Sequence, residues 1–475
     1  MDRPNIVLIT ADDLNWNSVG AYGCTTPECT PNIDALAADG MRFEHGHVTI
    51  AICQPSRGAL MTGCYPHQSG QEGFYHIDAF TFPLLTEELQ RAGYLNGILG
   101  KIGHSSPRAA FPWDYKLDMP ELGWGRDAEI YGRCVSEFVA QAKDAGKPFF
   151  LMANAHDPHR PFHGNDAILY GKDGFTYPEP SRVYAPKEVE VPGFLPDLPE
   201  VRREIAEYAS SVHRCDDVVG RVVQELKASG VYENTLIMFL SDNGMAFPFS
   251  KTNCYLHSTK TPWIVTWPGK VQAGAVDCEH MVNGVDYLPT VLEAIGAGIP
   301  ADVNGRSFLA VLLGQHDASR DYVFTQFHEP YGRERYPMRC VQDRRFGYIF
   351  NPWSDGKRVF QNESQSGRTF AAMRAAAAYD SGIAGRVDLF LHRVPEELYD
   401  FAEDPDALVN LVDDPAYAAE LQRLRDQLEA WMVKFDDPAL DVFRNRDSES
   451  AKATFMAEQE ARGARLRAEG SASNS

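Results

Sequence analysis

Short runs of apolar residues alternate with longer amphipathic stretches through the first two-thirds of the chain. Residues 201–229 have apolar positions every three or four residues and precede Gly230, which predicts a long helix. The apolar runs predict buried strands at 6–10, 95–99, 149–154 and 235–241, with 263–267 as a weaker fifth. This alternation predicts an α/β sandwich around a mostly parallel central sheet.

The pattern changes after about residue 335. Residues 338–351 predict two antiparallel strands, and residues 416–433 predict an amphipathic helix. We therefore expect a large α/β domain, a smaller C-terminal α+β domain, and a charged tail that is helical or loose. The expected bounds are 1–335, 336–440 and 441–475.

The net charge of the chain limits the classes of ligand that it is expected to bind. The 475 residues carry a formal net charge of −21, which argues against binding to nucleic acids or to anionic membranes. An anionic substrate would therefore need a local basic pocket. Because the chain has no run of about 18 apolar residues, we also expect no membrane-spanning helix.

The number of cysteines and the first residues of the chain indicate the cellular compartment in which the protein is expected. The chain has nine cysteines, an odd number without a Cys-x-x-Cys pair, which is typical of a reducing environment. The apolar run at residues 6–9 is too short for the core of a signal peptide. We expect a cytoplasmic protein, with a periplasmic or secreted location as the alternative if a leader has been removed.

Reactive side chains follow four of the predicted strands. Since ligands bind beyond the carboxyl ends of parallel strands, these residues are expected to meet at one edge of the sheet. The segments are Ala11-Asp12-Asp13, Gly100-Lys101, residues 155–159 and Asp242-Asn243-Gly244.

Cys53 begins the segment Cys53-Gln54-Pro55-Ser56-Arg57. Pro55 suits the first turn of a helix, so Cys53 is expected at a helix N-terminus, where backbone N–H groups favour negative charge. By itself, Cys-x-Pro more often marks a buried cysteine before a helix.

The same segment, followed by Leu60 and Thr62-Gly63, resembles the signature of the formylglycine-dependent sulfatase family, within the alkaline-phosphatase-like superfamily. The resemblance implies that Cys53 is oxidised to formylglycine by a formylglycine-generating enzyme. One hydroxyl of the hydrated aldehyde would attack sulfur, and Arg57 would orient the nucleophile and the substrate charge.

Two acidic segments suggest a metal site. Asp12-Asp13 alone is a common turn or cap, and Asp242-Asn243-Gly244 alone is more often a tight turn. Together they offer only oxygen donors, which suit calcium or magnesium rather than zinc. The resemblance implies Ca²⁺, with Mg²⁺ or Mn²⁺ as alternatives, held by Asp12, Asp13, Asp242, Asn243 and residue 53.

The resemblance also implies roles for basic residues. Lys101 would bind sulfate, His104 would act as a base, and His156 would protonate the leaving group. Lys251 would bridge sulfate and leaving group, with Lys260 as a weaker rival. The residues expected to contact substrate beyond the sulfate are Asp157, His159, Arg160 and His163.

The similarity extends over nearly the whole chain and is greatest to the sulfamidase branch, through residues 156–160 and 398–438. Two features depart from the pattern of the family. Lys101 and His104 are separated by two residues, whereas many members separate this pair by one, and Lys251 stands where sulfamidases tend to carry arginine. We therefore expect a hydrolase of sulfate esters or sulfamates on a sugar or aryl substrate. The alternatives are a phosphonate monoester or phosphodiester hydrolase and a non-catalytic binder of sulfated ligands; a homo-oligomer is compatible with the sequence.

Overall fold

A computed structural model describes residues 3–77, 80–108, 112–164, 177–332 and 334–472. Its largest element is a sheet of eight strands in the spatial order β10-β2-β9-β8-β1-β7-β5-β6, in which only β9 runs antiparallel to its neighbours. The strands of this sheet are β1 (Asn5–Asp12), β2 (Met41–Phe43), β5 (Leu95–Leu99), β6 (Tyr115–Leu117), β7 (Phe149–Pro158), β8 (Thr235–Ser241), β9 (Trp263–Thr266) and β10 (Ala275–Asp277). The predicted α/β architecture with a mostly parallel sheet is confirmed.

The central strands are hydrophobic on both faces because helices cover both faces. Along β1, Val7 and Ile9 face one core, whereas Ile6 and Leu8 face another. The helices of this part are α1 (Pro31–Ala38), α2 (Cys53–Thr62), α3 (Pro66–Ser69), α4 (Leu85–Arg91), α5 (Ile102–Ser105), α6 (Ala128–Asp144), α7 (Pro199–Ala228), α8 (Leu256–Thr259), α9 (Tyr287–Ala294) and α10 (Leu309–Leu312).

Helix α7 is the predicted long helix. Pro199 occupies its first turn, where the missing N–H costs no hydrogen bond, and Gly230 follows its end with a φ of 66°. Its apolar face packs against α6 and β7. The helix thereby covers one face of the sheet near the end of β7.

A second, antiparallel sheet has the order β12-β13-β14-β15. The remaining strands are β3 (Gly46–His47), β4 (Tyr75–Ile77), β11 (Val282–Asn283), β12 (Val323–Phe327), β13 (Met338–Gln342), β14 (Phe346–Phe350), β15 (Glu396–Asp400) and β16 (Gly470–Ala472). Helix α13 (Ala418–Lys434) packs on β13 and β14. Because β12 belongs to this sheet, the sheet begins before residue 336, and the division into three domains stays a prediction.

The C-terminal segment docks onto the body of the protein. After α11 (Arg368–Ala376), α12 (Ser381–His392) and α14 (Leu440–Arg444), α15 (Glu449–Glu469) leads into β16, which pairs antiparallel with β4. Arg462 donates to Glu72, and Arg467 donates to Glu329. The described part of the tail is therefore an ordered helix and strand. No helix in the described ranges is long and apolar enough to cross a bilayer.

Candidate active site

The segments that follow the central strands meet around the N-terminus of α2. Cys53 is the first residue of that helix and is 2% exposed. Its Sγ lies 3.4 Å from Asp12 Oδ1 and 4.0 Å from Asp13 Oδ1. The strand order places β1 between β8 and β7, which explains why residues distant in sequence meet here.

A cavity of about 320 Å³ opens directly above Cys53. Its wall contains most of the predicted basic residues together with aromatic side chains. The lining residues are Cys53, Phe74, Lys101, His104, Met119, Trp124, Arg126, His156, His159, Pro161, Tyr177, Lys251, Tyr331 and Glu363. A concave, partly aromatic cavity with a few converging polar groups is the usual form of a small-molecule site.

Two lysines form ion pairs with the two aspartates that follow β1. Lys101 pairs with Asp12, and Lys251 Nζ lies 2.8 Å from Asp13 Oδ2. Burial disfavours the charged form of each lysine, but the neighbouring carboxylates outweigh it and raise the pKa of both. The cavity wall thus holds two cations in addition to Arg126, although the protein as a whole is acidic.

Two of these residues have left-handed backbone conformations. Asp13 has a φ of 68° and Lys101 a φ of 54°, which residues with a side chain seldom adopt. Such conformations cost roughly 1–3 kcal/mol each and persist where surrounding contacts enforce them. Asp13 contacts Cys53, and Lys101 lines the same cavity as Cys53.

Three histidines line the cavity. His156 Nδ1 lies 3.2 Å from Asp12 Oδ2, and the His159 ring stacks on that of His156 at 4.8 Å. Neither ring nitrogen of His104 has a hydrogen-bond partner among the described residues. Burial and the charge of Lys101 lower the pKa of His104 and His156 well below the usual range, and burial lowers that of His159 to about 4.

Arg57 lies beneath the cavity and is fully buried. Its Nε donates to Asp242 Oδ2 at 2.9 Å, and its Nη1 donates to Asn154 Oδ1 at 2.6 Å and to Thr10 Oγ1 at 2.8 Å. It therefore holds Asp242 in place from below. Arg57 is not among the cavity-lining residues.

Three buried carboxylates and one amide form an oxygen-rich group beside Cys53; they belong to Asp12, Asp13, Asp242 and Asn243. Asp13 N donates to Asp242 Oδ1, and Asn243 Nδ2 donates to Asp13 Oδ1 at 2.7 Å. Burial, with the charge of Asp12 adding to it, raises the pKa of Asp13 and Asp242 to about 7. Asn243 Oδ1 is buried and has no hydrogen-bond partner among the described residues.

This donor set fits a hard divalent cation. Oxygen atoms are the ligands that calcium and magnesium prefer, and a cation would relieve the repulsion between the carboxylates. It would also give Asn243 Oδ1 a partner. One donor each from Asp12, Cys53 and Asp242 lies within 4.8 Å of the others.

Three predicted substrate contacts do not reach the cavity wall. β7 extends to Pro158, so adjacent residues point to opposite faces: His156 faces the cavity, and Asp157 faces the helices. Arg160 pairs with Glu204, and His163 lies 3.7 Å from Glu179. Of the four predicted contacts, the cavity contains His159.

Sequence reasoning did not name Glu363, Trp124, Tyr177 and Tyr331. Glu363 Oε1 lies 2.7 Å from Lys251 Nζ, although it is 112 residues away in the chain. No local motif marks Glu363, because it reaches the site through the packing of the C-terminal part on the large sheet. The aromatic residues lie in irregular segments whose course the hydrophobic pattern does not predict.

Comparisons with known proteins agree with this geometry. Residues 4–297 match the sulfatase family model, and residues 245–355 match the model of the C-terminal part of N-sulphoglucosamine sulphohydrolase. Human N-sulphoglucosamine sulphohydrolase is 32% identical over 468 residues, which cover 92% of this chain and 91% of the human protein.

Solved structures share the fold. A protein in complex with its substrate D-glucosamine-2-N,6-O-disulfate superposes with a TM-score of 0.67 at 19% identity, covering 92% of this chain and 99% of that one. Phosphonate monoester hydrolase of Agrobacterium radiobacter gives 0.67 at 20% identity, covering 91% and 96%. Because the sulfatase model spans more than half of the sequence and the human relative aligns along nearly all of it, the chain belongs to the sulfatase family and is a sulfuric ester hydrolase or sulfamidase.

Proposed function

We propose that this enzyme removes sulfate from a sulfated saccharide, with N-sulfated glucosamine as the preferred substrate class and Cys53, converted to formylglycine, as the nucleophile. The observation that carries the proposal is the position of Cys53, at a helix N-terminus on the floor of a cavity lined by two lysines and three histidines. The sugar assignment is supported by the human relative, whose name specifies N-sulphoglucosamine.

Formylglycine, when formed, supplies a hydrated aldehyde as the nucleophile. A divalent cation, which we propose to be Ca²⁺, supplies positive charge when bound by Asp12, Asp13, Asp242 and Asn243. Helix α2 adds the partial positive charge of its N-terminus at residue 53. Arg57 keeps Asp242 oriented through its buried hydrogen bonds.

We assign sulfate binding to Lys101 and Lys251, because both ammonium groups line the cavity next to Cys53. Charge-assisted hydrogen bonds from these groups would stabilise negative charge on the sulfate oxygens. We assign proton transfer to the histidines: His156 as donor to the leaving nitrogen or oxygen, with the negative charge of the bound sulfate favouring its protonated form, and His104 as acceptor near residue 53. Trp124, Tyr177 and Tyr331 offer faces on which a sugar ring can pack.

A second candidate is hydrolysis of phosphonate monoesters or phosphodiesters. It is favoured by the structural likeness to phosphonate monoester hydrolase of Agrobacterium radiobacter. A sulfate ester and a phosphodiester each carry one negative charge, so two lysines and a cation suit either substrate. Charge alone therefore does not separate the two activities.

A substrate panel tests both candidates. We expect kcat/KM to be highest for glucosamine N-sulfate, lower for glucosamine 6-O-sulfate and an aryl sulfate, and lowest for a phosphodiester and a phosphonate monoester. Each tenfold preference corresponds to about 1.4 kcal/mol of differential transition-state binding. A phosphonate or diester rate above every sulfate rate would refute a sulfated saccharide as the preferred substrate. A higher rate for the O-sulfate would refute only the preference for N-sulfate.

Removal of divalent cations should lower stability as well as activity. For chelator-treated protein, Ca²⁺ at 100 times its dissociation constant should raise the free energy of unfolding by about 2.7 kcal/mol. Asn243→Ala should lose most of this gain, because it removes the buried Oδ1 that has no other partner. Thermal or urea unfolding with and without Ca²⁺ measures the effect.

The matched control is Asn351→Ala, which also removes a buried amide but lies just after β14 of the C-terminal sheet, where it donates to Glu397. This variant should be less stable by itself yet keep the gain from Ca²⁺. An undiminished gain in Asn243→Ala would contradict the proposed ligand set.

A further inference from the structure

A second group of metal-ligating side chains lies at the open edge of the large sheet. Glu279 and His280 follow the edge strand β10, and His316 comes from the turn after α10. One donor atom from each of the three lies within 4.8 Å of the other two. None of the three lines the cavity at Cys53, so this group is separate from the candidate active site.

The spacing of the donor atoms is that of a metal coordination shell. His280 Nε2 lies 3.1 Å from His316 Nδ1, and His316 Nδ1 lies 3.3 Å from Glu279 Oε2. Zinc–nitrogen and zinc–oxygen bonds of about 2.0–2.1 Å in a tetrahedral arrangement keep the ligand atoms about 3.3 Å apart. The three side chains therefore approach one another as closely as they would around such an ion.

His280 is held in one orientation by Asp277. The residue is 5% exposed, and its Nδ1 lies 2.7 Å from Asp277 Oδ2, while its backbone N–H donates to Asp277 Oδ1 at 2.8 Å. Carboxylates commonly orient metal-binding histidines in this way, because the proton stays on the ring nitrogen that faces the carboxylate. The lone pair of His280 Nε2 then points towards His316.

Without a metal, hydrogen bonds occupy this lone pair. The backbone N–H of Asp317 donates to His280 Nε2 at 3.0 Å, and the His316 ring lies at similar distance. An ion would replace these hydrogen bonds and would be reachable from solvent, since Glu279 and His316 are mostly exposed. The carboxylate of Asp317 accepts from Ser319 and pairs with Arg320, so it is not counted as a ligand.

We propose that Glu279, His280 and His316 form a binding site for a divalent transition-metal ion of the zinc class, at which a bound ion ties the turn after α10 to the edge of the large sheet. Two imidazole nitrogens and one carboxylate favour zinc over calcium or magnesium, which take oxygen ligands. The site leaves a fourth position for water. The bound ion holds the turn after α10 against the edge of the sheet and takes no part in the hydrolysis of the sulfated substrate.

Zinc binding to the full-length protein tests the proposal. Chelator-treated protein is saturated with Ca²⁺, so that the oxygen-rich group near Cys53 is filled, and is then titrated with Zn²⁺ in a calorimeter. We expect a binding site whose affinity falls at least about tenfold in His280→Ala and in His316→Ala. Asp277→Asn should weaken binding by roughly 10–100-fold. Co²⁺ in place of Zn²⁺ should give visible absorption that both histidine variants lack.

Two control variants complete the design. His392→Ala removes another surface histidine, which contacts Asp388 at 2.8 Å, and should leave zinc affinity unchanged. Cys278→Ser removes the exposed thiol between Asp277 and Glu279 and should also leave it unchanged. Activity at saturating Ca²⁺ should be equal in all these variants.

The proposal is overturned if the native protein binds no Zn²⁺, or if His316→Ala binds it as tightly as the native protein does. It is also overturned if Cys278→Ser alone abolishes binding. Since His316 is exposed, its replacement should not affect folding. The affinity of His316→Ala for Zn²⁺ therefore tests the proposal even if His280→Ala fails to fold.

Discussion

Replacement of Cys53 by alanine is expected to lower kcat on the preferred sulfated substrate by roughly 10⁴-fold or more, because it removes the proposed nucleophile. The same change should cost only about 1 kcal/mol of stability, since it shortens one small buried side chain. Rate measurements on purified protein, together with urea unfolding, separate the two effects.

Cys64→Ala is the matched control for this experiment. Cys64 is equally buried, lies just beyond the end of α2, and its Sγ donates to the carbonyl oxygen of Asp302 rather than facing the cavity. It should retain nearly full activity with a similar loss of stability. If Cys53→Ala kept about a tenth of the native rate or more, the nucleophile assignment would be refuted.

Mass analysis of the native protein addresses the modification separately. Trypsin should release residues 43–57 as one peptide, because Arg42 precedes it and Arg57 ends it. We expect a species in which an aldehyde has replaced the thiol of Cys53. A preparation with only the thiol should be folded but nearly inactive, and full activity in that state would contradict the proposed mechanism.

Replacement of Asp157 by asparagine is expected to lower the free energy of unfolding by about 3–5 kcal/mol. Asp157 is fully buried between Arg126 and Arg214: Oδ1 accepts from Arg126 Nε at 2.9 Å, and Oδ2 accepts from Arg214 Nε at 2.6 Å. Removing the negative charge leaves two buried guanidinium groups without their carboxylate, which is costly in a low-dielectric interior.

Asp388→Asn is the control for this prediction, because Asp388 is exposed and pairs with His392 near the surface. Its loss should change stability by no more than about 0.5 kcal/mol. Denaturation curves of the three proteins at neutral pH measure the difference. A loss below about 1 kcal/mol for Asp157→Asn would show that the buried pair is not needed for the fold.

Asp157 should also influence the active site indirectly. Arg126 donates through Nη2 to the carbonyl oxygen of His159 at 3.1 Å, and the Arg126 side chain is also part of the cavity wall. An arginine released from Asp157 would no longer be held against this segment. We therefore expect the activity of Asp157→Asn to fall in parallel with its stability.

Much of the large sheet could be predicted from the sequence. Residues 95–99 and 235–241 were predicted with the bounds that the structure shows, because their runs of apolar residues end at Gly100 and Asp242. β1 and β7 continue beyond their predicted ends at Thr10 and Asn154, since Asp12 pairs in parallel with Pro158. Polar residues in these extensions hide the strand from a pattern based on hydrophobicity.

That difference in strand length explains why Asp157 lies away from the cavity. The apolar pattern predicts a strand that ends at residue 154, so residues 155–159 are all expected beyond it, next to the ligand. In a strand, alternate residues face opposite sides, so Asp157 packs under the helices while His156 lines the cavity. The alternation persists to Asp157, although the register with β1 shifts between Thr10 and Asp12.

The family, the sheet of mostly parallel strands and the group of residues that follows those strands could be predicted from the sequence, because a local motif and a local periodicity encode each of these. Which of those side chains reach the cavity depends on the three-dimensional packing, and so does the contact of Glu363 with Lys251 there. The same holds for the contact of His280 with His316 at the sheet edge. Contacts of this kind depend on the packing of segments far apart in the chain, and no local pattern records such packing.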